Sequence, residues 1–249
     1  MTPLTERYRA ARKDPSLAVL EGLHALKHAL RFGGEVVDAR TPDPTALREL
    51  AEALAPDVAD RILELAGPVA PELFDTLAPS AHPTGVIALA RRPDHTVEDV
   101  LAAADSAPVV LLERPTHHGN IGAVVRVAAA AEAAGGLVTG RHDPWHPSSI
   151  RGGAGLQFAL PVTSLEPPAG LDAVLASDRP VVALDPEGEP VGRGAGMPPR
   201  AVLVFGSERT GVTESLLERT DHRIAIPMRP GVSSLNLATA VAITLYAGR

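Results

Sequence analysis

The chain has 249 residues, 45% of them hydrophobic, and a formal net charge of −7. This length and apolar content predict one large or two modest folded domains rather than a disordered chain. The chain contains no cysteine, which excludes disulfides, thiolate nucleophiles and cysteine-based zinc sites.

Charge is unevenly distributed along the chain. The negative net charge argues against a protein that coats nucleic acid by bulk attraction, yet residues 1–34 carry six basic side chains against three acidic ones. Arg9, Arg12 and Lys13 in this stretch are candidate phosphate-binding groups, and a solvated first helix is the alternative. The sequence has neither an apolar signal core nor a run of about eighteen apolar residues, so we expect a cytoplasmic protein without a membrane span.

The first part of the chain predicts a small α/β unit. Apolar residues at helical spacing indicate a helix over residues 20–30, and a short strand follows at residues 35–39. Residues 42–66 and 69–77 favour helices, and residues 85–90 favour a strand. We therefore assign residues 1–95 to one domain and the acidic stretch 96–106 to a linker.

From residue 107 onward, strands alternate with helices. Strands are predicted at residues 107–112, 137–138, 162–165, 181–184, 201–205 and 223–226, and helices at residues 121–134, 150–158, 171–177, 213–219 and 234–246. Strands that are apolar throughout, as at 107–112, are typical of a parallel sheet covered on both faces. Residues 107–249 are thus predicted to form a doubly wound α/β domain.

Several familiar sites are missing from the sequence. It contains no dinucleotide-binding glycine motif, no P-loop and no nucleophile elbow. His142 and His146 have the spacing of two metal ligands on a helix, but Pro144 and Pro147 predict a loop there and no third ligand is in register, so we predict no metal site. His118 is a candidate for phosphate contact or for simple solvation.

Three segments place glycine and polar side chains where apolar runs stop. They are residues 119–126 (GNIGAVVR), residues 203–211 (LVFGSERTG) and residues 234–236 (SLN). Burying an unpaired polar group costs on the order of a few kcal/mol, so we expect these side chains to have partners or a ligand. The carboxyl ends of the strands in an open α/β sheet are where such ligand sites form.

The three segments resemble motifs 1, 2 and 3 of the SpoU (TrmH) family of RNA 2′-O-ribose methyltransferases, within the SPOUT superfamily. Motif 1 is matched by Asn120, Gly122 and Arg126. Motif 2 is matched by Gly206, Ser207, Glu208 and Gly211 and by residues 226–228 (IPM), whereas Arg209 stands where the family usually has glycine; motif 3 is matched by residues 234–236. Residues 1–95 resemble, more loosely, the family's substrate-binding domain, which is akin to ribosomal protein L30e.

The resemblance implies an architecture and an activity. The expected fold is a C-terminal SPOUT domain with a parallel sheet and a trefoil knot, preceded by a small α/β RNA-binding domain. The expected activity is S-adenosylmethionine-dependent 2′-O-methylation of ribosomal RNA by a homodimer. The alternatives are methylation of tRNA, a catalytically silent RNA-binding assembly factor, and a small-molecule methyltransferase on the same fold.

The resemblance also implies roles for individual residues. Catalysis is expected from Arg126, Asn120, Glu208 and Asn236, with Glu208 and Asn120 orienting Arg126. The expected cofactor-binding positions, which act largely through the backbone, are Gly206, Ile226, Leu235, Phe205, Met228 and Ser234. RNA contacts are expected from Arg9, Arg12, Lys13, Arg126 and His118.

Overall fold

The computed structural model describes residues 2–79, 83–103, 106–191 and 198–247. The chain divides into two compact units, and each is discontinuous in sequence. Unit 1 contains Met1–Asp94 and Trp145–Ala159, and unit 2 contains His95–Pro144 and Leu160–Arg249. Positions 104 and 105 of the predicted linker lie outside the described residues.

Unit 1 is built on a four-stranded sheet with the order β1-β4-β2-β3, in which β4 is antiparallel to both neighbours and β3 is parallel to β2. Its elements are α1 (Pro3–Ala11), β1 (Leu17–Glu21), α2 (Leu23–Arg31), β2 (Val36–Thr41), α3 (Pro44–Leu54), α4 (Ala59–Leu65), β3 (Ala66–Pro68), α5 (Pro71–Phe74) and β4 (Ile87–Arg91), followed much later by α8 (Pro147–Gly152) and a 3₁₀ helix (Leu156–Phe158).

Strand β1 was missed in the sequence, where residues 20 and 21 are predicted as the start of a helix. The strand is buried from Ala18 onward, and a short run that is apolar on both faces cannot be distinguished from a buried helix by periodicity. Gly22 adopts a φ of 93°, which L residues rarely adopt, so the chain turns there and α2 begins at Leu23.

The segment Trp145–Ala159 belongs to the core of unit 1. Trp145 is 2% exposed and packs edge-on against Phe158 with 5.1 Å between ring centroids. Nδ1 of His28 lies 2.7 Å from the carbonyl oxygen of Ala154, and burial lowers the pKa of His28 despite this contact. The sequence prediction placed these residues in the second domain, because their packing against α2 is non-local and leaves no trace in a linear pattern.

Unit 2 is built on a six-stranded sheet with the order β10-β8-β9-β5-β6-β7, in which every neighbouring pair is parallel. Its elements are α6 (Val97–Ala102), β5 (Val109–Leu112), α7 (His118–Ala130), β6 (Gly135–Val138), β7 (Val162–Ser164), α9 (Ala169–Leu175), β8 (Val181–Pro190), β9 (Val202–Phe205), α10 (Glu214–Leu217), β10 (His222–Ala225) and α11 (Leu237–Ala247). The predicted α/β class with a parallel sheet is confirmed.

The stretch predicted as a linker contains helix α6. Thr96 and Asp99 form a capping box at its start, and Val100 is fully buried in the core of unit 2. The acidic residues Glu98 and Asp99 of this stretch lie on the solvent-facing side of a helix whose other side is packed in the core. None of the described helices is long and apolar enough to span a membrane.

Gly155 provides a test of how tightly the inserted segment packs. Its φ is +76°, and a Cβ added there would lie 2.6 Å from the carbonyl oxygen of Ala25 in α2. Gly155→Ala should therefore lower the free energy of unfolding by about 2–4 kcal/mol, through backbone strain and overpacking together. Urea titration followed by fluorescence measures this, because Trp145 is the only tryptophan in the chain.

Gly33→Ala is the matched control, since Gly33 has a φ of +77° but no atom within 4 Å of an added Cβ. It incurs the backbone strain without the clash, so it should cost less than Gly155→Ala. Equal costs for the two variants would contradict close packing between the inserted segment and α2.

Candidate functional site

The carboxyl ends of β5 and β9 bring two of the three motif segments together. The strands are parallel neighbours in register from Val109 opposite Val202 to Leu112 opposite Phe205. The backbone N–H of Glu113 extends this pairing by donating to the carbonyl oxygen of Phe205 over 2.8 Å. The loops that follow the two strands therefore leave the sheet side by side, where open α/β sheets bind ligands.

Glu208 joins these loops through its carboxylate. Oε1 accepts a 2.6 Å hydrogen bond from Nδ2 of Asn120, and Oε2 accepts from N and Oγ1 of Thr116 at 3.0 and 2.8 Å. Burial by itself would raise the pKa of Glu208, but the hydrogen bonds from Asn120 and Thr116 outweigh it and hold the pKa below its usual value. The side chain is therefore an anion and a pure acceptor at neutral pH.

Asn236 connects the third motif to the first. Its Nδ2 donates to Oδ1 of Asn120 over 3.4 Å, while its Oδ1 accepts from the backbone N–H groups of Ala238 and Thr239 at 3.0 and 3.4 Å. Asn236 is thus the N-cap of α11. The predicted start of the last helix at residue 234 is wrong, since the helix begins at Leu237.

Only a glycine fits at position 206, because the backbone of the following hairpin passes directly beside it. The following residues form a tight hairpin in which Ser207 and Gly211 exchange backbone hydrogen bonds of 3.1 and 2.9 Å. A Cβ on Gly206 would collide with the backbone of Gly211 and Val212. The resemblance makes Gly206 a cofactor-binding position, and in the structure the returning strand of the hairpin occupies the space that a side chain there would need.

The remaining candidate cofactor positions differ in exposure. Phe205 is buried at the end of β9, Ile226 and Met228 are half-buried, and Ser234 and Leu235 are exposed. Among the described residues, the one backbone hydrogen bond within residues 226–235 runs from the N–H of Val232 to the carbonyl of Arg229. The segment therefore offers many open N–H and C=O groups, which fits a site that reads an adenine edge through the backbone.

Arg126 lies on the exposed face of α7, and its guanidinium has no hydrogen bond or ion pair with any described residue. The expected orientation of Arg126 by Glu208 and Asn120 is not found: Glu208 binds Asn120 and Thr116 instead. Arg126 lies six positions after Asn120 in the helix, which turns the two side chains about 120° apart around the helix axis. Arg126 is therefore free to meet a substrate from solvent.

The candidate RNA-binding residues fall into two groups. The side chains of Arg9 and Lys13 are exposed and have no hydrogen bond or ion pair with other described residues. Arg12 instead donates to Glu21 at 2.7 Å and to the carbonyl of Leu77 at 3.3 Å, which gives it a structural role in unit 1. In unit 2, His118 packs edge-on against His142 with 4.6 Å between ring centroids.

Thr116 was missed in the sequence analysis, although it donates two of the three hydrogen bonds to Glu208. A threonine in a loop after an apolar strand is a weak signal, and only the pairing of β5 with β9 brings it within reach of Glu208. The described residues hold no cluster of three or more His, Asp or Glu side chains with metal-binding geometry.

Comparison with known proteins places this geometry in a family. A 23S rRNA guanosine 2′-O-methyltransferase of Bacillus subtilis is 26% identical over 94% of this chain and 89% of its own length. A tRNA/rRNA methyltransferase of Synechocystis sp., itself uncharacterized, is 29% identical over 96% of this chain and 85% of its own length. The crystal structure of the SpoU methyltransferase AviRb from Streptomyces viridochromogenes, in complex with AdoMet, superposes with a TM-score of 0.81 at 23% identity and covers 100% of this chain and 97% of that one.

The family model for the SpoU rRNA methylases matches residues 107–246, which include all three motif segments and the hydrogen-bonded side chains that join them. The chain therefore belongs to the SpoU rRNA methylase family.

Proposed function

We propose that the protein transfers the methyl group of S-adenosylmethionine to a ribose 2′-hydroxyl of ribosomal RNA. The observation that carries this proposal is the chain of hydrogen bonds from Asn236 through Asn120 to Glu208, which ties the three motifs together at the sheet edge. Family relatives that methylate 23S rRNA at the 2′-oxygen support the same reaction.

One group of residues binds S-adenosylmethionine, and Arg126 binds the RNA. S-adenosylmethionine, when bound, supplies an electrophilic methyl group on a sulfonium. The backbone of residues 226–235 and the hairpin after Gly206 hold the cofactor, because within the described chain residues 226–235 make one backbone hydrogen bond among themselves and leave their other N–H and C=O groups open beside that hairpin. Asn120, fixed by Glu208, lies in the first turn of α7, the helix that also carries Arg126, and accepts a hydrogen bond from Asn236 at the start of α11.

Arg126 acts on the RNA. A guanidinium stays protonated at neutral pH and offers several donors in a planar fork, so it suits a phosphate and a neighbouring ribose oxygen at once. We propose that Arg126 binds both and stabilises the negative charge that develops on the 2′-oxygen as its proton passes to water. With the cofactor bound, its sulfur–methyl bond would break as the oxygen–methyl bond forms, which leaves a neutral thioether. Its exposure on α7 leaves it accessible to a large substrate.

The test of the reaction is methyl transfer from tritium-labelled S-adenosylmethionine to purified RNA. Ribosomal RNA, tRNA and a mixture of small nucleosides are offered separately, and 2′-O-methylated positions are mapped by their resistance to alkaline cleavage. Label in ribosomal RNA supports the proposal. Label in tRNA alone or in small molecules alone would show that the substrate is not ribosomal RNA. Cofactor binding without any methyl transfer would instead favour the alternative function of an RNA-binding assembly factor.

Arg126→Ala should lower kcat for methyl transfer by about 10²–10³-fold, the usual effect of removing one donor to a developing oxyanion. Affinity for S-adenosylmethionine, measured by isothermal titration, should change by no more than a few-fold, because Arg126 is assigned to the RNA. Arg126→Lys keeps the charge without the two-pronged geometry and should recover only part of the rate. Near-normal turnover of Arg126→Ala would contradict the assignment.

Glu208→Gln should lower the thermal midpoint at pH 7, because an amide presents an NH₂ group to partners that are all donors. The lowered pKa of Glu208 means that its stabilising contribution is complete above the ordinary carboxyl pKa and is lost as the pH falls through the lowered value. The difference between wild type and variant should therefore shrink below about pH 4.

Glu214→Gln is the control for this titration, since the Glu214 side chain is 73% exposed and lies 4.0 Å from Arg223. Its thermal midpoint should follow that of the wild type at every pH. A difference between Glu208→Gln and wild type that stays constant with pH would contradict a role for the ionised carboxylate.

We further propose that the protein is a homodimer whose contact includes α11. Of the large hydrophobic residues that are exposed in the described chain, four lie in the last part of unit 2: Val232, Leu235, Ile243 and Tyr246. Ile243 and Tyr246 are three residues apart and share one face of α11. We propose that a partner copy covers this face and completes the site near Leu235.

Ile243→Glu combined with Tyr246→Glu should convert a dimer into a monomer, because two charges would be buried at the contact. Sedimentation equilibrium measures the mass directly. Phe32→Glu, which changes an equally exposed apolar residue of unit 1, should leave the mass unchanged. A monomeric wild type, or a dimer that survives the double change, would exclude this interface.

The trefoil knot remains a proposal as well. Support comes from the last helix, which returns to α7: Asn236 contacts Asn120 at its start, and Tyr246 donates to the carbonyl of Ala130 over 3.3 Å near its end. A crystal structure whose backbone straightens without a crossing when its ends are pulled apart would contradict the knot.

A further inference from the structure

A second carboxylate at the sheet edge lies outside the three motifs. Glu113 follows β5 directly and is 8% exposed. Its Oε2 accepts a 2.8 Å hydrogen bond from the backbone N–H of Thr213, and its Oε1 accepts a 2.6 Å hydrogen bond from Oγ1 of the same residue. A buried carboxylate is tolerated only where strong donors replace its water, and Thr213 supplies two of them.

Glu113 and Glu208 form a reciprocal pair of clamps. Glu208 follows β9 and binds both N–H and hydroxyl of Thr116, which follows β5. Glu113 follows β5 and binds both N–H and hydroxyl of Thr213, which follows β9. The hairpin after Gly206 is therefore held to the β5 loop at both of its ends, once near its start and once just beyond its end.

The Glu113 clamp is connected to Gly206 through Val212, the residue before Thr213. Val212 immediately precedes Thr213, and its backbone nitrogen lies so close to Gly206 that a Cβ there would collide with it. Displacement of Thr213 would carry Val212 with it and open the backbone around Gly206. Displacement of Thr116 would instead release Glu208 and the amide of Asn120.

Capping of α10 does not explain the contact. Thr213 occupies the N-cap position of that helix, yet its side chain makes no capping hydrogen bond. An N-cap threonine usually accepts from a backbone N–H one turn ahead. Here the hydroxyl donates to Glu113 instead, so the side chain is directed toward the β5 loop.

We infer that Glu113 and Thr213 are positioning residues that set the affinity for S-adenosylmethionine by holding the hairpin of Gly206, without taking part in methyl transfer. The inference rests on the proposed function of the site. The two clamps are expected to have different effects. The Glu113 clamp sets the affinity for the cofactor, whereas the Glu208 clamp orients Asn120 and therefore affects kcat.

Thr213→Val removes the hydroxyl at nearly constant volume and tests this separation. We expect the KM and the dissociation constant for S-adenosylmethionine to rise about 10-fold, as for the loss of one hydrogen bond to a charged group, with kcat within two-fold of wild type. Thr213→Ser retains both donors and should restore tight binding. Thr116→Val should show the opposite split, with kcat lowered more than cofactor affinity.

Thr220→Val is the matched control, because the one hydrogen bond of the Thr220 side chain within the described residues is to the carbonyl of Leu217 at the far end of α10. It should leave KM and kcat unchanged. If Thr213→Val fails to fold by circular dichroism, Glu113→Gln is measured against the same criteria, since it retains the shape of the side chain and loses its charge.

A fall in kcat at unchanged KM, or equal effects of Thr213→Val and Thr220→Val, would overturn the inference. Cofactor affinity is measured by isothermal titration without RNA, so the inference and the proposed function fail in different ways. A wild-type protein that neither binds S-adenosylmethionine nor methylates RNA would refute the proposed function. An active wild type with unaltered cofactor binding in Thr213→Val and Glu113→Gln would refute only the inference.

Discussion

The arrangement of the site depends on the ionised carboxylate of Glu208. Glu208 accepts three hydrogen bonds, from the N–H and hydroxyl of Thr116 and from the amide of Asn120. These residues precede it by about ninety positions in the chain. Because the carboxylate is a pure acceptor, it fixes which way the amide of Asn120 points: Nδ2 faces Glu208, and Oδ1 faces Asn236. One negative charge thus orders side chains from three distant segments.

The parallel sheet explains why such a network can form at all. Every strand of unit 2 runs in the same direction, so the loops that follow β5 and β9 leave from one edge. Strands β5 and β9 are apolar and buried throughout, which leaves their ends as the first place where polar side chains can meet. Glu113 and Glu208 use this geometry in opposite senses, each binding a threonine from the other loop.

Unit 1 is made of two separate segments of the chain, the N-terminal 94 residues and residues 145–159. The chain passes between the units after residues 94, 144 and 159, and the inserted segment contributes Trp145 and Ile150 to the core of unit 1. The carbonyl of Ala154 and the backbone at Gly155 contact α2 closely. Deletion of residues 1–95 would therefore expose apolar side chains of residues 145–159, which pack in the core of unit 1. A protein that contains unit 1 alone must include residues 145–159 as well as the N-terminal part.

The sequence by itself determined the α/β class, the parallel sheet, the positions of most strands and the three motif segments, because these depend on local apolar runs and on residue identity. Only the tertiary structure decided which side chains meet. It paired Glu208 with Asn120 and Thr116 rather than Arg126, assigned Arg12 to Glu21, made Asn236 the cap of α11, and placed residues 145–159 in unit 1. The contacts of Glu208 and the packing of residues 145–159 join positions far apart in the chain, and strand pairing and packing bring them together in ways that linear periodicity does not encode.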